Sequence, residues 1–475
     1  MAERQKEKGF TPREENFSSW YNEVIRQGGL IDEGVTQGTW AFLPRAASMW
    51  NNIRGEMSTR MSDLGVDEII LSTLFPLSLL QKEKEHVEGF APEVFLVTQA
   101  GSKELTDPLV VRPTSEVVVS EYLSRWISSY KDLPMMVNQW GSAFRSEKRP
   151  RPFLRTTEFL WQEGYSAHAT PEESEQHAKD MAMFYGRFLL EHLSIYGIVG
   201  EKSVNERFAG AKNTYTVEAQ LGGKALQLTT SHDLGDNFAA SQNVTYTDQA
   251  GEIRNVFQTS WGSTTRMIGA TVMAHGDNRG LVLPPQVAPE QVTIIPAWRD
   301  GSERDSVTEY SQLVFSAISA RSKIAKRELG ERLGAVRYAV EKTGSPLQFI
   351  VGPREIESRT VSYQVRHSGE KGEIPVDQLD ERVKTILTDI SGQLLNKSRE
   401  SQLASIVEVG DRKQMIEVIE DGKMALAGWS GDAKDEKTLK QETGISLRLH
   451  PDGYDELRDP VSGKPGRATI FAKAY

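Results

Sequence analysis

The chain contains no cysteine among its 475 residues. Disulfides, cysteine-bound zinc, iron–sulfur clusters and thiol nucleophiles are therefore excluded, and each domain must be stable through packing alone. This length is enough for roughly two to four compact domains. The eight histidines show no HExxH or other ligand-spaced pair, so no zinc is expected. Magnesium held by carboxylates and phosphates stays compatible with the sequence.

Composition narrows the class of protein. A hydrophobic fraction of 38% and a charged fraction of 26% are ordinary for a soluble protein. The first ten residues lack the apolar core of a secretory signal, and no apolar run of about 18 residues occurs, so we expect a cytoplasmic protein without a membrane span. The net charge of −10 argues against a general nucleic-acid coating protein, but local basic patches remain compatible with a specific RNA enzyme.

Proline-rich residues 283–289 predict the main domain boundary. Before it, the spacing of apolar residues predicts a helix over 50–64 and a strand over 67–76. Thr170, followed by Pro171 and Glu173, predicts a capped helix that ends near Gly197. Its aromatic residues fit a packed core better than a cofactor site.

Strands and helices alternate after this boundary, which predicts an α/β domain with a mixed sheet. The strands are expected at 291–296, 347–353 and 360–366, with a helix over 306–321. A charged helix over 376–402 leads into the last domain. The predicted domains are 1–285, 286–376 and 377–475.

A charged hairpin carries the first chemical signal. Residues 144–147 read Phe-Arg-Ser-Glu, and the alternation over 157–162 is that of a strand. Arg145 and Glu147 share one face, where an arginine can bind a phosphate through two hydrogen bonds. A solvated surface hairpin with clustered charges is the alternative at this point.

Three further clusters favour a binding site. Thr114 and Glu116 follow an apolar strand, and Glu116 is suited to bind an ammonium or imino group. Gln227, Thr230, Ser231 and His232 lie together at the end of another strand. Arg266 begins an apolar helix and so needs an anionic partner, either a triphosphate or a structural carboxylate.

These segments resemble the motifs of class II aminoacyl-tRNA synthetases. Residues 144–147 with 153–164 resemble motif 2 in its prolyl form, STTRMIGA (263–270) resembles motif 3, and the helix and strand that end at Pro76 resemble motif 1. Similarity to prolyl-tRNA synthetases extends to HVEGFAPE (86–93), VVRPTSE (110–116), FAGA (208–211), TSHDLGDNFA (230–239) and HGDNRGLVLPP (275–285). The ordered set is specific, and it removes the preference for a surface hairpin.

The resemblance implies an α+β fold. It consists of a class II antiparallel sheet flanked by helices, followed by an α/β anticodon-binding domain and a small α+β C-terminal domain without the cysteine zinc site. It also implies a homodimer that uses ATP, with Mg²⁺ accompanying it, to attach L-proline to tRNA(Pro) through a prolyl-adenylate. Between Glu163 and Arg266 there is no room for an inserted editing domain, as in the archaeal and eukaryote-like form.

By motif position, the resemblance also assigns site residues. Arg145 and Arg266 are the expected catalytic residues. The expected ATP-binding residues are Arg145, Glu147, Thr156, Phe159, Gln227, Thr230, Thr265 and Arg266. The expected proline-binding residues are Phe90, Thr114, Glu116, Arg145, Trp161, Glu163 and His232. Weaker expectations are tRNA contacts by Arg337, Glu341 and Lys342 and a Mg²⁺ contact by Glu218.

Some positions depart from the family pattern. Leu228 and Thr229 stand where a glycine or small residue is usual, and Tyr165 stands where histidine is common. These departures leave open a synthetase paralogue with another amino-acid specificity. A non-catalytic tRNA-binding regulator is a further alternative, against which the joint presence of Arg145, Glu147 and Arg266 argues.

Overall fold

The computed structural model describes residues 9–81 and 94–475. The first region is built on a long antiparallel sheet with helices against it. Its helices are α1 (Phe17–Gln27), α2 (Pro44–Asp63), α3 (Leu77–Leu80), α4 (Glu116–Trp126), α5 (Pro171–Leu193), α6 (Asn237–Gln242) and α7 (Arg266–His275). Its strands are β1 (Ile31–Glu33), β2 (Trp40–Phe42), β3 (Asp67–Glu68), β4 (Leu74–Pro76), β5 (Phe95–Ala100), β6 (Lys103–Val111), β7 (Met135–Phe144), β8 (Glu158–His168), β9 (Ile198–Glu201), β10 (Asn213–Leu221), β11 (Lys224–Gly235), β12 (Thr245–Thr247), β13 (Ile253–Asn255) and β14 (Phe257–Thr264).

The second and third regions continue the chain. The second region contains β15 (Val292–Pro296), α8 (Arg304–Ser316), β16 (Ser322–Ile324), α9 (Leu333–Lys342), β17 (Leu347–Val351), α10 (Pro353–Ser358), β18 (Thr360–Val365), β19 (Lys371–Pro375) and α11 (Leu379–Ser405). The third contains β20 (Ile406–Glu408), α12 (Arg412–Glu420), β21 (Met424–Trp429), α13 (Ala433–Thr443), β22 (Ser446–Pro451), β23 (Leu457–Arg458) and β24 (Pro465–Ala472). In the described part of the chain, no helix has both the length and the apolar character needed to cross a bilayer.

One sheet joins the first and third regions. Its strand order is β20-β21-β24-β22-β9-β10-β11-β14-β8-β7-β3, with β23 paired to β24. The connection is made by β22 and β9, where His450 lies opposite Glu201. The last domain therefore extends the catalytic sheet. This shared sheet brings C-terminal residues close to the site described below.

The second region has its own core and a mixed five-stranded sheet of order β16-β15-β17-β18-β19. The first three strands are parallel and the last two are antiparallel to their neighbours. The first half of α11 completes this core through Leu379, Val383 and Leu387. The predicted mixed α/β domain is confirmed, but the predicted division at residue 376 falls just before a helix that this core requires.

Local predictions in the first region hold where side-chain periodicity is strong. Trp50, Ile53 and Met57 form the buried face of α2. In α5, the Thr170 hydroxyl accepts from the Glu173 N–H at 3.2 Å, and the Thr170 N–H donates to a Glu173 carboxylate oxygen at 3.3 Å. This capping box confirms the predicted start. The helix ends at Leu193, before the predicted position.

The predicted strand over 67–76 is wrong in its middle. Asp67–Glu68 pairs with β7 in the large sheet, whereas Leu74–Pro76 pairs with β6 in a separate three-stranded sheet. The five residues between them carry the chain from one sheet to the other. An apolar run does not reveal such a change of partner, because both ends keep strand-like side chains.

Candidate active site

A cavity of about 870 Å³ lies on one face of the large sheet. Its floor comes from β8, β14 and β11, where Glu163 lies opposite Gly262 and Gly262 lies opposite Thr230. Side chains on these three strands therefore share a face. Helix α5 covers the opposite face, where the Tyr185 hydroxyl donates to Gln162. The loop between β7 and β8 borders the cavity.

Most predicted site residues come together around this cavity. The lining includes Thr114, Glu116, Arg145, Glu147, Thr156, Phe159, Trp161, Glu163, Gln227, Thr230, His232 and Arg266. Phe90 lies outside the described residues. Thr265 is the exception: it is 1% exposed and does not line the cavity, where Thr264 stands instead. The predicted contact between Thr265 and ATP does not agree with this placement.

The cavity carries an excess of positive charge. Eight basic and four acidic residues line it. Arg266 donates from Nη1 to the Gln227 carbonyl at 2.8 Å and from Nε to the Leu154 carbonyl at 3.1 Å. Burial, with the nearby charges of Arg145 and Arg155, lowers the pKa of the Arg266 guanidinium to about 10. Crowded cations of this kind favour a polyanionic ligand.

Arg145 is fixed in the cavity by neutral groups. Its Nε donates to the Pro113 carbonyl at 3.1 Å. Its guanidinium lies over the rings of Phe159 and Trp161, at 5.3 and 5.9 Å from their centroids. Cation–π contacts orient a guanidinium without neutralising its charge. The charge of Arg145 is therefore placed in the cavity in a defined direction.

The hairpin loop is held in shape by its own residues. One Glu147 oxygen accepts from the Arg149 N–H at 2.9 Å, and the other accepts from Arg155 Nε at 2.7 Å. Phe153 adopts a positive φ of 61°, is 2% exposed and packs on Phe42 with ring centroids 5.0 Å apart. A buried aromatic residue in this conformation requires a well-defined surrounding structure. The loop is thus ordered over the cavity.

Two buried carboxylates also line the cavity. Glu116 is 5% exposed and Glu163 is 2% exposed. Burial raises the pKa of the Glu163 carboxyl to about 7, and the nearby Glu116 raises it further, while the hydrogen bonds from Tyr165 and Ser115 and the charge of Arg112 lower it. Close buried carboxylates are costly without a cation. This pair is suited to bind a positively charged ligand group.

Glu163 is positioned by three residues for which the sequence predicted no role. Ser115 Oγ donates to Glu163 at 2.7 Å, and Gln139 Nε2 donates to Ser115 Oγ at 3.0 Å and also to Glu163. Tyr165 donates to the other Glu163 oxygen. Gln139 lies directly opposite Glu163 in the β7–β8 ladder. Tyr165, the departure from the family's histidine, thereby takes part in a hydrogen-bonded network.

His232 is neutral in this site. Burial lowers the pKa of its imidazole to about 3. Its Nδ1 lies 3.0 Å from Thr214 Oγ1, and that hydroxyl oxygen accepts from the Phe208 N–H at 3.1 Å. The Phe208 ring stacks on the imidazole with centroids 4.5 Å apart. His232 is therefore an oriented hydrogen-bonding group and not a cation.

The unusual Leu228 and Thr229 lie at an irregularity of β11. Val217 pairs with Thr229 and Glu218 pairs with Gln227, so Leu228 is the extra residue of a β-bulge. Leu228 is 2% exposed and belongs to the main hydrophobic core. The bulge shifts the register so that Gln227 and Thr230 both reach the cavity wall. Leu228 thus packs in the core and also borders the cavity.

The predicted Mg²⁺ contact by Glu218 does not agree with the structure. Glu218 is 1% exposed and binds Lys202, and its two oxygens also accept from Arg448 at 2.8 and 3.0 Å. These cations lower the pKa of the Glu218 carboxyl although burial acts in the opposite direction. Among residues 9–81 and 94–475, no group of three acidic, histidine or cysteine side chains could hold a metal. The described residues thus do not form a protein-built magnesium site.

The predicted tRNA contacts separate into two kinds. Arg337 donates to Gln364 at 2.7 Å within the second region. Glu341 forms an ion pair with Arg279 of the first region, and Lys342 is 8% exposed with its ammonium 4.8 Å from the Tyr338 ring centroid. Glu341 and Lys342 therefore lie at the boundary between the first and second regions. Residues that contact an anticodon are expected on the open surface of the second region instead.

An arginine-rich hairpin, a helix that resembles motif 3 and an antiparallel sheet together surround this cavity. This combination is typical of class II aminoacyl-tRNA synthetases. Residues 95–275 match the family of the tRNA synthetase class II core domain (G, H, P, S and T). Residues 291–386 match the anticodon binding domain. These matches confirm the predicted fold class and the order of the first two regions.

Full-length relatives identify the particular family. The chain is 39% identical to the chloroplastic/mitochondrial proline–tRNA ligase of Arabidopsis thaliana over 99% of this chain and 89% of that protein. It is 40% identical to the proline–tRNA ligase of Symbiobacterium thermophilum over 98% of each chain. The prolyl-tRNA synthetase of Cryptosporidium parvum, solved with halofuginone and AMPPNP, superposes with a TM-score of 0.93 at 33% identity, covering 98% of this chain and 99% of that one.

This chain belongs to the proline–tRNA ligase family. The comparisons support aminoacylation of tRNA with proline and do not favour the paralogue or the non-catalytic regulator.

Proposed function

We propose that this cavity forms prolyl-adenylate from L-proline and ATP and then transfers the prolyl group to tRNA(Pro). In the first step, a carboxylate oxygen of proline attacks the α-phosphorus, a new P–O bond forms, and pyrophosphate leaves. In the second step, a terminal hydroxyl of the tRNA attacks the carbonyl carbon of the adenylate, and AMP leaves. No protein nucleophile takes part, so the protein contributes positioning and charge.

The division of charge within one cavity carries this proposal. Glu116 and Glu163 are buried together, whereas Arg145 and Arg266 lie among the cations of the same cavity. Proline offers a cationic imino group and ATP offers a polyanionic tail. A cavity with an acidic and a basic part can hold both ligands in one orientation, so that the proline carboxylate meets the α-phosphate.

Each cation has a distinct proposed role. Arg145 binds the α-phosphate and the proline carboxylate, and it stabilises the charge that develops as pyrophosphate leaves. Arg266 binds the γ-phosphate, whose negative charge offsets the repulsion from Arg145 and Arg155. Since Arg145 lies over Phe159 and Trp161, it is placed next to both the adenine and proline subsites.

The remaining predicted residues line the two subsites. For ATP, we propose that the adenine stacks on Phe159 near Glu147 and Thr156, with Gln227 and Thr230 facing the nucleotide. For proline, we propose that Glu116 and Glu163 bind the imino group and that Thr114, Trp161 and His232 surround the ring. The Trp161 indole N–H supports this assignment, because it is buried and finds no hydrogen-bond partner among the described residues.

Magnesium, assembly and location belong to the same proposal. Because the described residues do not fit a protein-built metal site, Mg²⁺ enters as part of the substrate, bound to the phosphates of ATP.

We propose that the chain acts as a homodimer in the cytoplasm. We also propose three domains, with the first half of α11 assigned to the anticodon-binding domain, because its apolar residues complete that core.

The pH dependence of proline use tests the acidic subsite. We expect kcat/KM for proline in ATP–pyrophosphate exchange to fall about tenfold per pH unit below pH about 7 and to level off above it. The reason is that Glu163, with a pKa of about 7, must be ionised to bind the imino cation. The KM for ATP serves as an internal control, because Glu163 lies outside the proposed phosphate site. A kcat/KM for proline that stays flat between pH about 5.5 and 8 contradicts the role of Glu163.

A further inference from the structure

A short segment after α7 joins the catalytic core to the anticodon-binding domain. We call residues 276–281 the latch. They follow directly on His275, the last residue of the helix that begins with Arg266 in the cavity. A ten-residue helix spans about 15 Å. One rigid element therefore connects the proposed phosphate site to the boundary between the domains.

The latch is fixed to the catalytic core on one side. The His275 imidazole lies 2.9 Å from the Leu193 carbonyl, and the Trp20 indole N–H donates to the Asp277 carbonyl at 2.9 Å. The Arg13 N–H donates to the Asn278 side chain at 2.7 Å. The bonds from Trp20 and Arg13 reach the latch itself, and the His275 bond holds the helix end just before it, so the latch is tied to the catalytic core.

On its other side, the latch binds the anticodon-binding domain through an ion pair between Asp277, which is 36% exposed, and the buried Arg366. Arg366 donates from both terminal nitrogens to Asp277, at 2.7 and 2.8 Å, and from Nε to the Glu341 carbonyl at 2.9 Å. The Arg366 side chain is only 1% exposed. A bidentate pair of this kind fixes direction as well as distance.

Backbone contact makes the same junction tight. The Leu281 N–H donates to the Lys342 carbonyl at 3.1 Å. Gly280 has a φ of +123°, and a Cβ built on it would lie 2.8 Å from the Lys342 carbonyl oxygen. Both the conformation and the space require glycine here. The two domains thus meet with no room for adjustment.

We propose that Asp277 and Gly280 are positioning residues for the tRNA step: they set the orientation of the anticodon-binding domain relative to the active site. The proposal rests on the proposed function, in which one tRNA contacts both domains at once. Binding at two sites is productive only when their separation and direction match the ligand. None of the described residues that line the cavity belongs to the anticodon-binding domain, so a change in the orientation of that domain should affect tRNA charging and leave proline activation intact.

The test compares two reactions in the full-length protein. Asp277→Asn removes the charge opposite Arg366, and Gly280→Ala introduces a Cβ without changing any charge. In both variants we expect kcat/KM for tRNA in aminoacylation to fall roughly 10- to 100-fold, while proline-dependent ATP–pyrophosphate exchange stays within about twofold of the parent. The exchange reaction also reports that the catalytic domain is folded.

Arg279→Gln is the matched control. Arg279 belongs to the latch and pairs with Glu341 across the same boundary, but its side chain is 55% exposed, so solvent weakens the pair. We expect both reactions of this variant to stay within about twofold of the parent. Arg366→Lys keeps the buried charge but loses the second hydrogen bond, and it should show the same selective loss in a milder form.

Two results overturn the positioning role. One is aminoacylation that remains unchanged in both Asp277→Asn and Gly280→Ala. The other is a parallel fall of aminoacylation and exchange, which means that the latch only supports the catalytic fold. If the parent protein lacks proline-dependent exchange, the proposed function itself fails, and this outcome is distinct from both.

Discussion

Replacing Arg145 by alanine should lower kcat/KM for proline-dependent ATP–pyrophosphate exchange roughly 10³-fold or more. The guanidinium is aimed by the Pro113 carbonyl and by the rings of Phe159 and Trp161. These contacts orient the guanidinium within the cavity, where we propose that it meets the α-phosphate. Alanine removes the cation at the atom where negative charge develops, which is the most costly position for such a loss.

Controls separate this loss from misfolding. Arg125→Ala removes an arginine of the same domain whose side chain is 62% exposed and paired with Glu121, so exchange should be unaffected. Arg145→Lys keeps the charge but loses the planar fork and should recover only part of the activity. Circular dichroism should show that Arg145→Ala is folded. Exchange within about threefold of the parent in that folded variant would refute the assignment of Arg145 to the phosphate site.

The second large effect is expected for Glu163→Gln, which should raise the KM for proline at least about 30-fold at pH about 8. A 30-fold rise in KM corresponds to a loss of roughly 2 kcal/mol in binding free energy, which is the cost expected when a buried charged hydrogen bond loses its charged partner. Ser115, Gln139 and Tyr165 continue to hold the side chain in place. The KM for ATP should stay close to that of the parent, which distinguishes loss of the proline subsite from general damage.

The same substitution should stabilise the protein without ligands. The pKa of Glu163 is about 7 in the folded state, against an ordinary value of 4.5. Between these values the folded state binds more protons than the unfolded state, so stability falls as pH rises from about 4.5 through about 7. Above pH about 7 the full cost is about 3 kcal/mol. Glutamine carries no such cost, because it does not ionise.

Thermal unfolding at two pH values tests whether Glu163→Gln stabilises the protein. Glu163→Gln should raise the apparent melting temperature of the catalytic region at pH about 8 and have a smaller effect at pH about 5.5. Saturating proline should reduce the advantage, because the imino cation stabilises the ionised carboxylate of the parent. A melting temperature that falls at pH about 8 would show that the carboxylate is structurally favourable, against the proposed substrate role.

The sequence predicted those parts of the site that depend on local pattern. The alternation over residues 157–162 correctly indicated a strand. Thr170 and Glu173 marked the start of α5 because a capping box is a local signal. Arg266 was correctly placed at the start of a helix. Each of these predictions used side chains within a few residues of one another.

The remaining features depend on contacts between distant segments. Gln139 reaches Glu163 only through the β7–β8 register, which the alternating pattern does not fix. Glu218 was assigned to magnesium because an isolated glutamate gives no sign of Lys202, which follows β9, or of Arg448 in β22, and these two residues neutralise it. Glu341 was assigned to tRNA because its sequence position does not reveal that Arg279 lies against it.

Amino-acid-dependent ATP–pyrophosphate exchange tests the central claim most directly. It should be run with the parent protein and with proline, alanine, serine, threonine and glycine in separate reactions. Exchange with proline should be well above exchange with each of the others, since we propose that the two carboxylates and the residues around them select the imino acid. Exchange that is stronger with another amino acid, or absent with all five, would contradict it.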